Sequence, residues 1–322
     1  MAAFVTGATG FLGGRLVNLL ADSGEDVVVL ARPTSDLTGM PQSVTVAQGD
    51  VTDRESVAAG LDSGQGADVV YHLAARNDLG EPDPELMRAV NVEGTRNVLE
   101  EAAERDLVAV YVSSVAALGP TGERPEDESW WTASVPNASY AVTKREAHEL
   151  AHGLAERGAR LRMTMPGYIY GPNDPTPLSD IIAKYVRARF PIGYLPEIWQ
   201  SYVHVEDCAR LLTLIARNGT DGESYLAVER AAPMRELFDT LGRIAGQRPA
   251  VFWMKSPTVA RLSKLAAVFS AVSGLSEAEM RESLEMAVGV NWSFSGQKAK
   301  AQLGWEPREL EAGLADVVAA LR

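Results

Sequence analysis

The stretch Ala3-Phe4-Val5-Thr6-Gly7-Ala8-Thr9-Gly10-Phe11-Leu12-Gly13, near the beginning of the 322-residue chain, decides the fold. Its apolar run predicts a buried first strand, and a helical pattern follows the glycines. Gly7 permits a tight turn, Gly10 lets the backbone approach a pyrophosphate, and Gly13 lets the helix pack against the strand. The N–H groups at the helix start then face an anion. We therefore favour a dinucleotide site over an ordinary glycine-rich turn, although the spacing is G-x-x-G-x-x-G.

The composition indicates a globular protein. Of its residues 46% are apolar and 23% are charged, which suits one large α/β unit with a smaller lobe. The net charge of −13 argues against nucleic acid as a partner, because phosphates require a basic surface. The single cysteine, Cys208, excludes an internal disulfide and favours a reducing compartment. With no long apolar run and a first strand that begins at residue 3, we expect a cytoplasmic protein without a signal peptide or transmembrane segment.

The first half of the chain alternates strands and helices. Strands are predicted at residues 3–5, 27–30, 44–47, 68–73, 107–112 and 161–165, and long helices at 12–20, 84–105 and 138–157. This alternation predicts an α/β fold with a Rossmann-type, doubly wound parallel sheet.

The alternation ends after residue 172. Beyond it we predict strands at 201–205 and 225–228 and helices at 206–217, 234–244, 257–272, 276–288 and 309–321. We expect a cofactor-binding domain of residues 1–165, with returning pieces at about 201–230. A smaller C-terminal α/β substrate lobe is expected from residues 166–200 and 231–322.

The end of the second strand indicates which dinucleotide binds. In NAD-binding sheets an acidic residue caps this strand and holds the ribose hydroxyls. Here Ala31 occupies that position and Arg32 follows. A carboxylate repels a 2′-phosphate, whereas an arginine can hold it with two hydrogen bonds. We therefore expect NADP(H) rather than NAD(H); the alternative is that Arg32 is an ordinary solvated arginine.

Other strand ends carry weaker signals. Asp50 is placed to accept a hydrogen bond from an adenine amine, or it is a plain turn aspartate, and Asp53 is predicted to cap the next helix. The run Leu73–Ala75 suits close approach of a ribose or phosphate to the backbone. His72 has no Cys or His nearby, so we expect no metal. Gly94 lies inside a predicted helix at a cost of about 1 kcal/mol, which indicates a close contact with a neighbouring strand.

A tyrosine and a lysine one helical turn apart form the predicted catalytic pair. Tyr140 and Lys144 share a helix face, and Ser114 lies at the carboxyl end of the fifth strand, where parallel sheets bind their ligands. A free tyrosine has a pKa near 10, which a nearby ammonium lowers. Tyr140 can then transfer a proton to or from a substrate oxygen while the Ser114 hydroxyl orients that oxygen.

These motifs together resemble the extended short-chain dehydrogenase/reductase superfamily. They run in family order: T-G-A-T-G-F-L-G, G-D-V-T-D, Y-H-L-A-A, N-V-E-G-T, V-S-S, Y-A-V-T-K, P-G-Y-I-Y-G-P, Y-V-H-V-E-D and finally L-G-W-E-P. The resemblance implies a catalytic Ser114, Tyr140 and Lys144, and a homodimer through the helices at 84–105 and 138–157. It also implies cofactor contacts from Gly7, Thr9, Gly10, Phe11, Leu12, Gly13, Arg32, Asp50, Val51, Leu73, Ala74, Ala75, Asn91, Val112, Ser113, Tyr140, Lys144, Pro166 and Ile169.

Three departures from the nucleotide-sugar enzymes of this superfamily bear on the substrate. Val115-Ala116 stands where 4,6-dehydratases carry an Asp-Glu pair, so no acid is available to eliminate water. Met165 and Tyr168 replace an Arg and an Asn, of which the Asn holds the diphosphate. Gln200-Ser201 replaces an Arg-Asp pair. A diphosphate without such partners binds poorly in a partly buried site.

Apolar and aromatic side chains stand in this region instead: Tyr168, Tyr185, Phe190, Tyr194, Ile198 and Trp199. Each is consistent with ordinary core, but as a set they favour a hydrophobic or planar substrate, which we expect to contact Ser114, Tyr140, Tyr168 and Trp199. The apolar helix at 257–272 suits core or dimer packing, a lid, or a membrane surface. The pattern resembles the branch that holds dihydroflavonol reductases, hydroxysteroid dehydrogenase/isomerases and bacterial aldehyde or ketone reductases.

The sequence thus predicts an NADP(H)-dependent oxidoreductase that interconverts a hydrophobic ketone or aldehyde and its alcohol. Tyr140 would transfer the proton, Ser114 would orient the oxygen, and Lys144 would tune Tyr140 and hold the ribose. One alternative is a nucleotide-sugar epimerase that recycles a bound NAD(P). Another is a cofactor-binding regulator without catalysis, against which the intact Ser-Tyr-Lys set argues.

Overall fold

The computed structural model describes residues 1–63, 66–77, 83–188, 191–262 and 284–322. Its strands are β1 (Ala2–Thr6), β2 (Asp26–Ala31), β3 (Thr45–Gln48), β4 (Val69–His72), β5 (Val108–Val112), β6 (Leu161–Pro166), β7 (Tyr168–Tyr170), β8 (Ile192–Tyr194), β9 (Trp199–His204), β10 (Ser224–Ala227), β11 (Arg230–Pro233) and β12 (Phe252–Met254). Its helices are α1 (Phe11–Asp22), α2 (Arg54–Leu61), α3 (Pro84–Arg88), a π-helical turn (Ala89–Glu93), α4 (Gly94–Glu104), α5 (Val115–Leu118), α6 (Ser139–Glu156), α7 (Pro177–Arg187), α8 (Val205–Asn218), α9 (Met234–Ala245), α10 (Ser256–Leu262), α11 (Gln297–Leu303) and α12 (Leu310–Ala320).

Seven strands form one parallel sheet in the order β10-β6-β5-β4-β1-β2-β3. The chain order reverses at β1, which pairs with β2 on one side and with β4 on the other. Parallel sheets with this reversal bind ligands outside the carboxyl ends of the strands next to the switch point. The predicted Rossmann-type doubly wound fold is therefore confirmed.

Helices cover both faces of this sheet. On one face Ala3 and Val5 pack in a core with α1 and α8, and on the other face Phe4 packs in a core with α2, α4 and α6. Successive strand residues point to opposite faces, so a strand covered on both sides has to be apolar throughout. This requirement explains the continuous apolar runs that identified these strands in the sequence.

The C-terminal part of the chain builds two smaller sheets. In one, β9 pairs antiparallel with β11 and parallel with β7; in the other, β8 and β12 are parallel. A separate core surrounds the fully buried Tyr202 and includes Phe238 from α9 and Leu314 from α12. The large sheet takes β10 from the predicted returning piece, but the domain boundaries themselves stay a prediction.

Several elements differ from the sequence predictions. The helix predicted at 84–105 is interrupted by the π-helical turn. Gly94 does make a close contact, but with a loop residue rather than a strand: a Cβ on Gly94 would lie 2.7 Å from Cγ2 of Val51. The sequence did not predict β7, β8, β11, β12, α5, α7 and α11. Of the helices predicted at 257–272 and 276–288, residues 263–283 lie outside the described residues, and residues 284–287 are helical.

Candidate active site

The glycine turn between β1 and α1 has the close packing that its sequence predicted. Gly7 has φ +73°, and a Cβ there would lie 2.6 Å from the backbone N of Ala74 at the end of β4. A Cβ on Gly13 would collide with the carbonyl oxygen of Gly7. Gly7 therefore lets β1 and β4 end side by side, and Gly13 lets α1 start directly on the turn.

The start of α1 fits the phosphates of a dinucleotide. Gly10 is its N-cap, no side chain caps the helix, and its first turn carries no acidic residue. Thr9 and Gly10 are exposed, Phe11 is half-buried, and Leu12 is buried beneath them. Uncapped N–H groups and the positive end of the helix dipole are what an anion requires.

The next strand ends place the predicted adenosine contacts. Arg32 is exposed directly after β2. Asp50 accepts hydrogen bonds at its Oδ1 from the N (2.9 Å) and the Oγ1 (2.8 Å) of Thr52, as a turn aspartate does, and its contact with an adenine amine stays a prediction. Asp53 accepts from the N of Glu55 and caps α2, as predicted. Val51 is buried beneath Gly94.

The buried Asn91 side chain is hydrogen-bonded to the backbone of the loop that follows β4. It lies in the π-helical turn, 1% exposed. Its Oδ1 accepts from the N of Arg76 (2.6 Å), and its Nδ2 donates to the O of Arg76 (2.9 Å) and to Oγ1 of Thr143 (3.0 Å). These bonds hold the chain that follows Leu73–Ala75, so Asn91 acts here on the loop that would line the cofactor.

His72 has both ring nitrogens hydrogen-bonded to hydroxyls. Its Nδ1 lies 2.8 Å from Oγ1 of Thr6, and its Nε2 lies 2.9 Å from Oγ1 of Thr95. Burial, assisted by the nearby Lys144 charge, lowers the pKa of His72 to about 3, so the ring is neutral. Among the described residues no group of three or more His, Cys, Asp or Glu side chains is arranged to hold a metal ion.

The predicted catalytic tyrosine and serine meet at the carboxyl end of β5. Tyr140 lies in the first turn of α6, and Ser114 is the N-cap of α5, where its Oγ accepts from the N of Ala116 at 3.1 Å. Burial raises the pKa of Tyr140, and a hydrogen bond with Ser114 opposes that rise, so the lowering expected from the Lys144 ammonium is not found. The phenol is thus held in its protonated form next to the hydroxyl predicted to orient a substrate oxygen.

Lys144 lies one turn after Tyr140 and is 3% exposed. Its Nζ donates a 2.9 Å hydrogen bond to the carbonyl oxygen of Val112 and lies 5.1 Å from the centre of the Tyr111 ring. Burial lowers the pKa of Lys144 to about 7. An amine with that pKa can be charged or neutral near physiological pH.

Two histidines continue the same face of α6, and the sequence analysis missed them. His148 is buried and its Nδ1 lies 2.9 Å from Oγ of Ser113. Its Nε2 lies 3.1 Å from Nε2 of the half-buried His152. The signal was present in the sequence, because His148 and His152 extend the four-residue spacing of Tyr140 and Lys144.

The positions expected to contact substrate divide into core and partly exposed groups. Tyr185 (2% exposed) and Ile198 (4%) belong to the C-terminal core, which is the ordinary alternative that the sequence left open for each of them. Tyr194 packs against that core from its edge. Trp199 is half-buried at the start of β9, and Phe190 lies outside the described residues.

Tyr168 and the neighbouring departures carry no charge toward a diphosphate. The Tyr168 hydroxyl donates to Oδ2 of Asp174 at 2.6 Å. Met165 is completely buried, and Oγ of Ser201 donates to the O of Trp292 and accepts from a backbone N, so both serve the fold. Pro166 ends β6, and Ile169 in β7 is half-buried against the core beneath α1.

Comparison with known proteins defines the class. The family model described as the NAD dependent epimerase/dehydratase family matches residues 3–227. The chain belongs to this family, and so to the extended short-chain dehydrogenases/reductases, which are NAD(P)-dependent enzymes.

Within the described part of the chain, no helix is long and apolar enough to cross a membrane.

Individual proteins are similar to the chain over three quarters or more of its length. It is 31% identical to the 4-hydroxy-2-methyl-3-oxo-4-farnesyl-3,4-dihydroquinoline-1-oxide ketoreductase of Stigmatella aurantiaca, over 75% of this chain and 72% of that protein. It is 27% identical to 3beta-hydroxysteroid-dehydrogenase/decarboxylase isoform 1 of Arabidopsis thaliana, over 94% and 75%. The crystal structure of gox2253 superposes with a TM-score of 0.82 at 31% identity, over 100% of this chain and 98% of that one.

Proposed function

We propose that this protein reduces a hydrophobic ketone or aldehyde to its alcohol with NADPH. The observation that carries the proposal is the group at the carboxyl end of β5: Tyr140 hydrogen-bonded to Ser114, with Lys144 one turn further along α6. This group lies at the same sheet edge as the glycine turn. Other family members act by epimerisation or dehydration, so the family alone does not fix the reaction.

The side chains support the direction of reduction. NADPH, when bound, would supply a hydride to the carbonyl carbon, and the carbonyl oxygen would then require a proton. Tyr140, whose pKa is raised by burial, keeps that proton until the oxygen accepts it. Ser114 can donate a hydrogen bond to the same oxygen and hold it toward Tyr140. The products are the alcohol, NADP⁺ and a tyrosinate that is reprotonated from solvent.

The proposed substrate class rests on the replacement of the side chains that hold a diphosphate in nucleotide-sugar enzymes. Where nucleotide-sugar enzymes of the superfamily carry an Arg, an Asn and an Arg-Asp pair, this chain has the buried Met165, Tyr168 with its hydroxyl bonded to Asp174, and Gln200-Ser201, of which Ser201 is buried. The relatives named for a farnesyl quinoline ketone and a hydroxysteroid are consistent with a hydrophobic substrate here. We assign Tyr168 and Trp199 to its contacts.

The preference for NADPH rests on the end of β2. Ala31 is buried there and the exposed Arg32 follows it, so no carboxylate occupies the place where a ribose 2′-phosphate would lie. An arginine can pair with that phosphate through two hydrogen bonds.

The test uses purified full-length protein and a panel of aryl, steroid and long-chain ketones and aldehydes. We expect NADPH to be oxidised, with NADH slower, and the alcohol to accumulate in equal amount. In parallel the protein is incubated with UDP-glucose without added reductant. Formation of UDP-galactose with no net redox change, and no carbonyl reduced, would establish the epimerase alternative instead.

A further inference from the structure

Two histidines on α6, the buried His148 and the half-buried His152, have no role in the proposed reaction. Side chains at four-residue spacing on this helix bond to the end of β5 or to one another: Tyr140, Lys144, His148 and His152. The proposed reaction uses the first two. His148 is 1% exposed and lies one turn beyond Lys144. A buried imidazole beside a catalytic strand end needs an explanation, because an apolar side chain would cost less to bury.

We propose that His148 is a positioning residue that fixes Ser113 and, through it, the orientation of Ser114 toward Tyr140. The inference rests on the proposed function only in naming Ser114 as the group that orients the substrate oxygen. The inference adds a third side chain of α6, His148, to the two that the proposed reaction uses, and its role is to hold the end of β5.

The contacts on Ser113 define what His148 contributes. The backbone N of Ser113 donates to the O of Thr164 on β6 (2.8 Å), and its Oγ lies 2.9 Å from Nδ1 of His148. Ser113 is thus tied to β6 by its backbone and to α6 by its side chain. Ser114 follows directly in an extended conformation (φ −162°, ψ 153°), so a rotation at Ser113 would swing the Ser114 hydroxyl away from Tyr140.

His152 and Trp131 hold the ring of His148 from the outside. The contact between the two Nε2 atoms, 3.1 Å, requires that one ring donates and the other accepts. The Trp131 ring stacks on His148 with 5.9 Å between centroids. Burial lowers the pKa of His148 to about 3, and the charges of Lys144 and Arg145 act in the same direction, so His148 is neutral and keeps one donor and one acceptor.

The first measurement needs no activity. The amide of Ala116 donates to Oγ of Ser114, so its hydrogen exchange reports where that hydroxyl lies. In His148→Leu, which has a similar volume, we expect exchange at Ala116 to become about tenfold faster, while amides of β2 stay unchanged. His148→Asn, whose side-chain amide can reach Ser113, should restore most of the protection. Unchanged exchange at Ala116 in a folded His148→Leu protein would overturn the proposal.

The second measurement is kinetic. With a carbonyl that the wild type reduces, His148→Leu should lower kcat roughly tenfold to a hundredfold, because misplaced catalytic groups are costly, with little change in the KM for NADPH. His148→Asn should recover much of kcat. The matched control Glu149→Gln, at the exposed residue next to His148 on α6, should stay within about twofold of wild type. An unchanged kcat in His148→Leu would also reject the positioning role.

The two measurements separate failure of the inference from failure of the proposed function. If the wild type reduces no carbonyl, the reduction proposal fails, and the exchange at Ala116 still decides whether His148 holds Ser114. If the wild type is active and neither exchange nor kcat responds to His148→Leu, only the inference fails. Should His148→Leu not fold, His148→Asn and Ser113→Ala carry the same comparison, since Ser113→Ala removes the partner hydroxyl.

Discussion

The Nζ of Lys144 donates a 2.9 Å hydrogen bond to the carbonyl oxygen of Val112, the last residue of β5. The lysine therefore anchors the strand that carries Ser114 while lying one turn from Tyr140. Its burial lowers the pKa of Lys144 to about 7. Lys144 thus holds the end of β5 in the site, and burying its charged form lowers the stability of the folded protein.

Lys144→Met should stabilise the protein, most strongly at low pH. The folded pKa lies below the unfolded one, so between about pH 7 and 10.5 the unfolded chain binds a proton that the folded chain does not. The stability of the wild type consequently rises with pH across that window. Removing the buried amine gains roughly 5 kcal/mol in the free energy of unfolding below pH 7, of which the lost hydrogen bond offsets about 1–2 kcal/mol.

The measurement is urea unfolding of wild type and Lys144→Met at several pH values. The gain should be about 3–4 kcal/mol below pH 7, and by pH 10.5 Lys144→Met should be less stable than wild type by the lost hydrogen bond, about 1–2 kcal/mol. Lys184→Met, at an exposed lysine of α7, is the matched control and should show no such trend. A difference between wild type and Lys144→Met that is independent of pH would contradict the burial argument.

Tyr140→Phe should abolish most activity without loss of cofactor binding. The change removes the hydroxyl that donates the proton but keeps the ring, so we expect kcat to fall by about 10²–10⁴-fold. NADPH binding, followed by its fluorescence, should stay within a few-fold of wild type. Tyr185→Phe is the control, because that hydroxyl belongs to the C-terminal core. If Tyr140→Phe retained full turnover, another group would have to supply the proton.

Gly13→Ala should destabilise the protein, whereas its neighbour Gly14→Ala should not. A Cβ on Gly13 meets the carbonyl oxygen of Gly7, while one on Gly14 lies 3.6 Å from the O of Ala8, an ordinary contact. Relieving the collision requires a shift of α1 away from the turn, at a cost of about 2 kcal/mol or more. Alanine inside a helix is otherwise better than glycine by up to about 1 kcal/mol. Thermal unfolding and NADPH binding are measured for both variants. Equal melting temperatures of Gly13→Ala and Gly14→Ala would contradict the predicted collision at Gly13.

The sequence predicted the large sheet and its carboxyl edge because both follow from local rules. Strands buried on two faces are apolar throughout, and turns such as Gly7 need a positive φ. The partners of side chains are set by tertiary packing. The sequence could not show that Asp50 bonds Thr52, and for Tyr185 it left core and substrate contact open. Strands β7, β8 and β12 have three residues each, too few for periodicity to identify, and the sequence of β11, Arg-Ala-Ala-Pro, has no large apolar side chain.

We propose that the protein forms a homodimer through α3, the π-helical turn, α4 and α6. Leu86 of α3 and Val142 of α6 are exposed apolar side chains, at 39% and 36%, on two helices that are joined by an ion pair between Arg88 and Glu146. Val142→Glu places a charge there and should convert a dimer into a monomer in sedimentation experiments. The control Val46→Glu, at an exposed valine of β3, should leave the mass unchanged. A wild-type monomer would disprove the dimer directly.

Arg32→Asp should reverse the preference between the two dinucleotides. Arg32 is exposed at the end of β2, where its guanidinium can pair with a 2′-phosphate, and a carboxylate would repel that phosphate and accept from ribose hydroxyls instead. A charged hydrogen-bonded pair is worth about 1.5–3 kcal/mol, so the ratio of kcat/KM for NADPH over NADH should fall by roughly 10²-fold. The control Arg124→Asp, at an exposed arginine after α5, makes the same charge change at a residue that is not predicted to contact the cofactor, and should leave the ratio unaltered. An equal ratio in wild type and Arg32→Asp would mean that Arg32 is a solvated arginine and that the NADPH preference is wrong.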